Sequence, residues 1–178
     1  LLFLRDKAAE AEPLFRRALA IRRKTAAAQP APLAASLNGL AELLQDQEGK
    51  TDEADGLFRE ALELMESSNP LPDVTGRVCP QELQCQGACI QKLPIAIGQL
   101  EWFLPEREKL VHPDADARRF AGVRNPWEAA TKPPVAIVGS GPSGLINAYL
   151  LSAEGFPVTV FEAFHALGGV LRYGIPEF

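Results

Sequence analysis

Apolar residues recur at helical spacing in the first 68 residues of the chain. Leucines at positions 33, 37, 40 and 44 mark one face of a helix that two prolines open and Gly49 closes. On either side of it, residues 1–24 and residues 44–67 match with a constant offset of 43, so that Leu14 pairs with Leu57. A fixed offset over many matches predicts a helical repeat whose unit is helix, turn and helix.

The segment Asn69-Pro70-Leu71-Pro72 ends this helical pattern, because two prolines cannot continue a helix. We therefore expect a first domain over residues 1–68. A second domain is predicted over 69–120, and a polar, proline-containing linker over 121–134.

Three cysteines, Cys79, Cys85 and Cys89, lie close together in the second domain. If this part is helical, Cys85 and Cys89 project from one face. Thiolates in such a cluster suit zinc or an iron–sulfur cluster, but both normally need four ligands, one more than the cysteines provide. A zinc-stabilised module with one further ligand and three reduced thiols without a cofactor are therefore both compatible with the pattern.

The last segment carries a nucleotide-binding pattern. A short apolar run at 135–138 predicts a strand of the kind buried in a parallel sheet, and it leads directly into a GxGxxG loop at 139–144. A helix that stops at Gly155, a second strand at 158–161 and Glu162 follow. An acid about 20 residues after the glycine loop can bind the ribose hydroxyls of an adenosine. It also disfavours a 2′-phosphate, so FAD or NAD(H) fits better than NADP(H).

Composition and charge narrow the function classes. The chain has 178 residues, of which 47% are hydrophobic and 23% charged, and its net charge of -5 argues against nucleic acid as a main partner. No apolar run is long enough to cross a bilayer, so no membrane association is expected. An odd, clustered set of cysteines indicates a reducing cytoplasm. Because residue 1 is Leu rather than Met, we interpret the N-terminus as a cut end.

Two resemblances to known families add to this picture. The stretches EAEPLFRRALAI, SLNGLAELLQDQEGK and EADGLFREALEL resemble tetratricopeptide repeats, for which either a peptide-binding groove or plain helix stacking is expected. The stretches GRVCP and PIAIGQLEWF, with the Cys-x5-Cys-x3-Cys spacing and the segment from 135 to 178, resemble the N-terminal part of the glutamate synthase small chain family. These are NADPH-dependent oxidoreductases that carry FAD and 4Fe-4S clusters.

The second resemblance implies site residues. Cys79 and Cys85 would serve one cluster and Cys89 the other, and Glu101 matches a position where the family can place a non-cysteine ligand; its spacing alone favours an ordinary solvated glutamate. The upstream cysteine motif of the family is absent, so neither cluster has four ligands in this sequence. The residues implied for FAD binding are Gly139, Ser140, Gly141, Pro142, Ser143, Gly144, Glu162, Gly168, Gly169 and Val170.

The predicted fold class is therefore multidomain α and α/β. Repeat-like helical hairpins precede an α-helical iron–sulfur-type domain and, over 135–178, the first βαβ unit of a Rossmann-like FAD-binding domain. The predicted function is that of an oxidoreductase segment that passes electrons between NADPH, FAD and clusters, inactive alone, with an electron-transfer partner subunit and the NADPH site outside this sequence. The alternative is a protein-interaction module that binds a partner through the repeats and carries a redox-domain remnant. No catalytic residue is expected, and Trp102, Phe103 and Leu104 are expected to be core residues.

Overall fold

The computed structural model describes residues 8–25, 30–90, 93–114 and 131–175. The chain divides into two units, Leu1–Ala115 and Asp116–Phe178, and each is described by itself. Most of the predicted linker over 121–134 lies outside the described residues, as do the first seven residues of the repeat. No helix in the described ranges is both long and apolar enough to cross a membrane.

The repeat forms three helices of equal length: α1 (Ala8–Arg23), α2 (Pro30–Gln45) and α3 (Thr51–Glu66). The bounds of α1 and α3 differ by 43 at both ends, which is the offset in the sequence. The leucine stripe of α2 is buried, with exposures of 4% or less at Leu33, Leu37, Leu40 and Leu44. Gly49, with φ of 77°, turns the chain from α2 into α3. The predicted helical repeat is confirmed.

Ion pairs join α1 to α3 along one seam. The Arg16 guanidinium donates two hydrogen bonds to the Glu53 carboxylate, at 2.7 and 3.0 Å, and Arg23 donates one to Glu60 at 2.7 Å. The donors and the acceptors are both seven residues apart and in the same order, so the two helices run parallel. The hydrogen bonds from Arg16 lower the pKa of Glu53.

A second group of elements completes the first unit. It comprises α4 (Pro72–Val78), a short 3-10 helix (Gln81–Leu83) and α5 (Ile97–Val111). Helices α4 and α5 cross closely at Gly76, where any Cβ would lie 2.6 Å from the backbone nitrogen of Trp102. Glycine is therefore required at this crossing.

Helix α5 also packs on α3. The rings of Phe58 and Phe103 meet edge to face with centroids 5.8 Å apart, and the Arg107 guanidinium lies 3.9 Å from the Phe58 ring centroid. Arg107 also pairs with Asp55, whose pKa its hydrogen bond lowers. Leu104 joins the same buried cluster as the leucines of α2. The predicted domain boundary after residue 68 therefore lies between helices that share one core.

The expectation that three successive residues of α5 form the core is wrong for one of them. Leu104 is 2% exposed and Phe103 packs against the core, but Trp102 is 49% exposed. Successive residues of an α-helix point about 100° apart, so three in a row cannot all face the same neighbours.

The second unit contains the predicted βαβ arrangement. Strand β1 (Val135–Val138) is followed by α6 (Pro142–Ala153), and strand β2 (Val158–Phe161) pairs parallel with β1. The register places Val135 opposite Val158 and Val138 opposite Phe161. A short helix, α7 (Val170–Tyr173), follows. The order of strand, glycine loop, helix and strand confirms the Rossmann-like start.

The burial of β1 differs from the expectation of a strand buried on both faces. Exposure alternates along it, and Val138 is 89% exposed. Among the residues that the structure describes, α6 is the element that packs on both strands. A helix on one face leaves the other face uncovered, and every second side chain of the strand points to that face.

Candidate functional site

The loop between β1 and α6 is shaped by its glycines. Gly139 has φ of 96°, a left-handed conformation that side chains other than glycine rarely adopt. At Gly144 an added Cβ would overlap the carbonyl oxygen of Gly139, so only glycine lets the helix approach the loop this closely. Pro142 opens α6 at a position whose N–H would have no helical acceptor.

Gly141 differs from these two positions because nothing in the chain crowds it. It precedes α6 in an extended conformation, and an added Cβ would meet no atom within 4 Å. Its carbonyl oxygen accepts the first helical hydrogen bond, from the Leu145 N–H at 2.9 Å. The first-turn N–H groups of α6 have no partners within the helix, so this end can bind an anion such as a phosphate.

Glu162 follows β2 and reaches back to the loop. One of its oxygens accepts hydrogen bonds from the Ser140 N–H, at 2.8 Å, and from the Ser140 hydroxyl; the other accepts from the Phe164 N–H at 2.9 Å. The Phe164 amide, the Ser140 hydroxyl and the Ser140 amide lower the pKa of Glu162 to about 2. The carboxylate is therefore ionised near neutral pH.

The segment around Gly168 and Gly169 lies against the glycine loop. The Gly168 N–H donates to the carbonyl oxygen of Ser140 at 3.1 Å and to its hydroxyl oxygen at 3.0 Å. Gly169 has φ of 54°, and an added Cβ there would lie 2.9 Å from the Cα of Gly141. Val170, the first residue of α7, is 60% exposed. The structure thus brings together the loop, the acid and the later glycines that the sequence singled out.

The glycine-loop motif includes Ser140 but does not reveal its contacts, and no motif in the sequence includes Phe164. Ser140 is fully buried, although the loop around it is partly exposed. A small polar residue between two glycines was the one available signal for Ser140. Nothing in the sequence pattern points to the Phe164 amide, because a backbone donor can come from any residue.

The cysteine segment has a different character. Cys79 directly follows α4, and Cys85 lies in a run of turns over 84–88 rather than in a helix. Cys79 and Cys85 are exposed, and Cys89 is half-buried. In the described ranges, no three side chains of His, Cys, Asp or Glu are grouped closely enough to hold a metal ion.

Glu101 lies in a hydrogen-bonded cluster instead of in solvent. Its carboxylate accepts hydrogen bonds from the Asn69 amide at 3.0 Å, the Thr75 hydroxyl at 2.9 Å and the Gln81 amide at 2.7 Å. Gln81 is only 4% exposed. The carboxylate therefore links the start of α4, the 3-10 helix and α5, and its role as a metal ligand stays a prediction.

These observations decide which cofactor the described residues fit. The glycine loop leaves space and backbone donors for a dinucleotide, and an ionised acid lies beside it. The thiols and Glu101 do not form a four-ligand set in the described part of the chain, so they do not fit a complete 4Fe-4S cluster.

Comparisons with known families agree with this division. Residues 137–174 match the model described as "NAD(P)-binding Rossmann-like domain", and residues 51–111 match "Dihydroprymidine dehydrogenase domain II, 4Fe-4S cluster". Residues 1–67 match "Tetratricopeptide repeat".

Individual relatives extend the match across these segments. The glutamate synthase (NADPH) small chain of Mycobacterium tuberculosis is 40% identical over 129 residues, which is 69% of this chain and 24% of that protein. The chain is thus similar to part of a glutamate synthase small chain. The small chains of Escherichia coli, at 36% identity over 70% of this chain and 25% of that protein, and of Bacillus subtilis, at 39% over 68% and 23%, are similar in the same way.

The relationship to glutamate synthase small chains is limited to part of their length. The chain spans about a quarter of the relatives it matches. The repeat model and the iron–sulfur domain model overlap over residues 51–67, which contain α3. Together, the matches to family models and to individual relatives confirm the resemblances predicted from the sequence, to tetratricopeptide repeats and to this oxidoreductase family.

Proposed function

We propose that residues 131–175 bind the ADP half of FAD, as part of an oxidoreductase related to glutamate synthase (NADPH) small chains. The observation that carries this proposal is the open space at Gly141, which lies between two glycines that the fold itself requires. A glycine that the packing of the chain does not demand, at the start of a helix, is suited to the approach of a pyrophosphate.

Charge selects among dinucleotides. The ionised Glu162 lies at the end of β2, where it can accept hydrogen bonds from ribose hydroxyls. A 2′-phosphate on the same ribose would place like charges side by side, so NADPH is disfavoured at this position. FAD is preferred over NAD(H) because the sequence resembles the glutamate synthase small chain family, whose members carry FAD.

The chain's residues would hold the cofactor and leave the chemistry to it. The backbone N–H groups of the loop and of the first turn of α6 would bind the pyrophosphate, and Glu162 would orient the ribose. A flavin held there would supply hydride acceptance and the release of electrons in one- or two-electron steps.

Binding is tested by titrating FAD into the 178-residue protein and following the quenching of flavin fluorescence. Gly141→Ala should weaken binding about tenfold or more, because the added methyl occupies the space meant for the ligand. Gly56→Ala, a matched control at an exposed position of α3 where an added Cβ also meets nothing, should bind like the wild type. Equal binding by the two variants would contradict the proposal.

Competition with FAD then identifies the recognised half of the ligand. ADP should compete, FMN should not because it lacks the adenosine, and NADPH should compete poorly because of its 2′-phosphate. Displacement by FMN at concentrations similar to ADP would mean that the loop does not recognise the ADP half.

Two further functions stay predictions. The match to tetratricopeptide repeats supports a protein partner for α1 to α3, and the small-chain relatives support an electron-transfer partner subunit. Cluster-mediated electron transfer is supported by the match over residues 51–111, while the described side chains supply no complete ligand set.

A further inference from the structure

Ser140 is the most buried residue of the dinucleotide loop. It is fully buried, although both neighbouring glycines are partly exposed. The loop glycines are explained by backbone conformation and close packing. Neither backbone conformation nor close packing requires a hydroxyl at position 140, so the hydroxyl needs another explanation.

The contacts of Ser140 supply that cause. Its N–H and its hydroxyl both donate to the same oxygen of Glu162. Its carbonyl oxygen and its hydroxyl oxygen both accept from the Gly168 N–H. One buried residue thus joins the glycine loop to the acid 22 residues later and to the peptide 28 residues later.

The acid needs such support. A glutamate has three rotatable side-chain bonds, and Glu162 stands at the end of a four-residue strand rather than inside a packed core. Two donors on one oxygen and the Phe164 amide on the other fix the plane of the carboxylate. A carboxylate that is already fixed loses less freedom when a ribose hydroxyl binds it.

We propose that Ser140 is a positioning residue of the dinucleotide site, which holds the Glu162 carboxylate ready for a ribose hydroxyl and ties Gly168 to the glycine loop. This inference rests on the proposed function above. Ser140 acts through Glu162, so its contribution depends on the ribose hydroxyls of the ligand.

That dependence separates positioning from simple structural support. If Ser140 only supports the loop, Ser140→Ala weakens the binding of every adenosine ligand by the same factor. If it positions Glu162, the loss is large for ADP and small for 2′,3′-dideoxy-ADP, which has no ribose hydroxyl to offer. The comparison is a double-mutant cycle in which one of the two changes is made in the ligand.

The experiment measures the binding of ADP and 2′,3′-dideoxy-ADP to the full chain by calorimetry. Ser140→Ala should weaken ADP binding about tenfold and dideoxy-ADP binding less than about twofold. Ser152→Ala, an exposed serine near the end of α6, is the matched control and should change neither affinity. Equal losses for the two ligands, or no loss for either, would overturn the positioning role.

A second readout works without ligand. The carboxyl carbon of Glu162 can be titrated by NMR, and its pKa should rise in Ser140→Ala because a hydroxyl donor is lost, while the Phe164, Ser140 and weaker Ala163 amides remain. An unchanged pKa in Ser140→Ala would overturn the proposal. If Ser140→Ala does not fold, Ser140→Cys, with a weaker donor of similar size, should show the same shift to a smaller extent.

The two readouts distinguish the possible failures. A wild-type protein that binds neither ADP nor FAD contradicts the proposed function, and the ligand-free titration still decides whether Ser140 holds Glu162. A wild-type protein that binds ADP, with no ribose-dependent loss in Ser140→Ala, contradicts the role of Ser140 alone.

Discussion

Replacing Glu101 tests whether its carboxylate is a structural acceptor in the metal-free protein. In the first unit this carboxylate receives donors from Asn69, Thr75 and Gln81. In Glu101→Gln the side chain keeps its size, but one oxygen becomes an NH2 group that faces a donor. One charged hydrogen bond is then lost and one donor is left without an acceptor, which costs about 1–3 kcal/mol.

The larger change Glu101→Ala removes all three acceptor contacts. Its cost is less than three times that of a single bond, because Thr75 also contacts the backbone oxygens of Leu71 and Pro72. We expect about 2–4 kcal/mol for the alanine variant. The order of stability should be wild type, then Gln, then Ala.

Urea unfolding of metal-free protein, followed by far-ultraviolet circular dichroism, measures these differences through the helices of the first unit. Glu63→Gln, an exposed glutamate on α3, is the matched control and should shift the free energy of unfolding by no more than about 0.5 kcal/mol. If Glu101→Gln behaves like this control, the carboxylate does not stabilise the fold. The metal-ligand prediction for Glu101 would then be the better explanation of the residue.

Three further predictions concern the core, the loop and pH. Leu40→Ala, at a fully buried position of α2, should destabilise the first unit by about 2–5 kcal/mol in urea unfolding, and a shift below 1 kcal/mol would contradict its burial. Gly144→Ala should weaken hydrogen-exchange protection in the second unit, because its Cβ would overlap Gly139; unchanged protection there would refute the close approach. The lowered pKa of Glu162, about 2 against an ordinary 4.5, means that its contribution to stability is complete above that ordinary value and is lost as the pH falls towards 2. Hydrogen-exchange protection of the second unit, corrected for the intrinsic pH dependence of amide exchange, should therefore fall over this range, and Glu162→Gln should remove the effect.

The second unit was predictable because its determinants are local. Strand, glycine loop, helix and strand occupy the expected residues, and Gly155, with φ of 83°, follows the helix as its predicted stop. Gly139, Gly144 and Gly155 each satisfy a demand of their own backbone or of a neighbour a few residues away. Such demands leave a trace in the sequence pattern even when no homologue is considered.

Contacts between distant residues could not be predicted in this way. The exposure of Trp102 depends on how α5 lies against α3 and α4, and the three donors to Glu101 come from positions 20 to 32 residues away. The sequence pattern around Ser140 likewise does not predict its hydrogen bonds with Glu162 and Gly168. A sequence window reports propensity and periodicity, while these contacts are set by tertiary packing.

Helix α3 lies within both the repeat match and the iron–sulfur domain match, which explains why no boundary separates the two segments. Glu53 and Glu60 lie seven residues apart and face α1, whereas Asp55 and Phe58 lie on another side and face α5. At about 100° per residue, Asp55 and Phe58 lie roughly opposite Glu53 and Glu60 around the helix axis, so one helix can pack against both neighbours. The helix therefore serves two segments. It is a packing partner within the repeat, and it is also the first helix of the iron–sulfur-type domain, whose family model begins at residue 51. Removing α3 with the repeat would therefore uncover the core face of α5, which is why point substitutions test the repeat more cleanly than a deletion of residues 1–68.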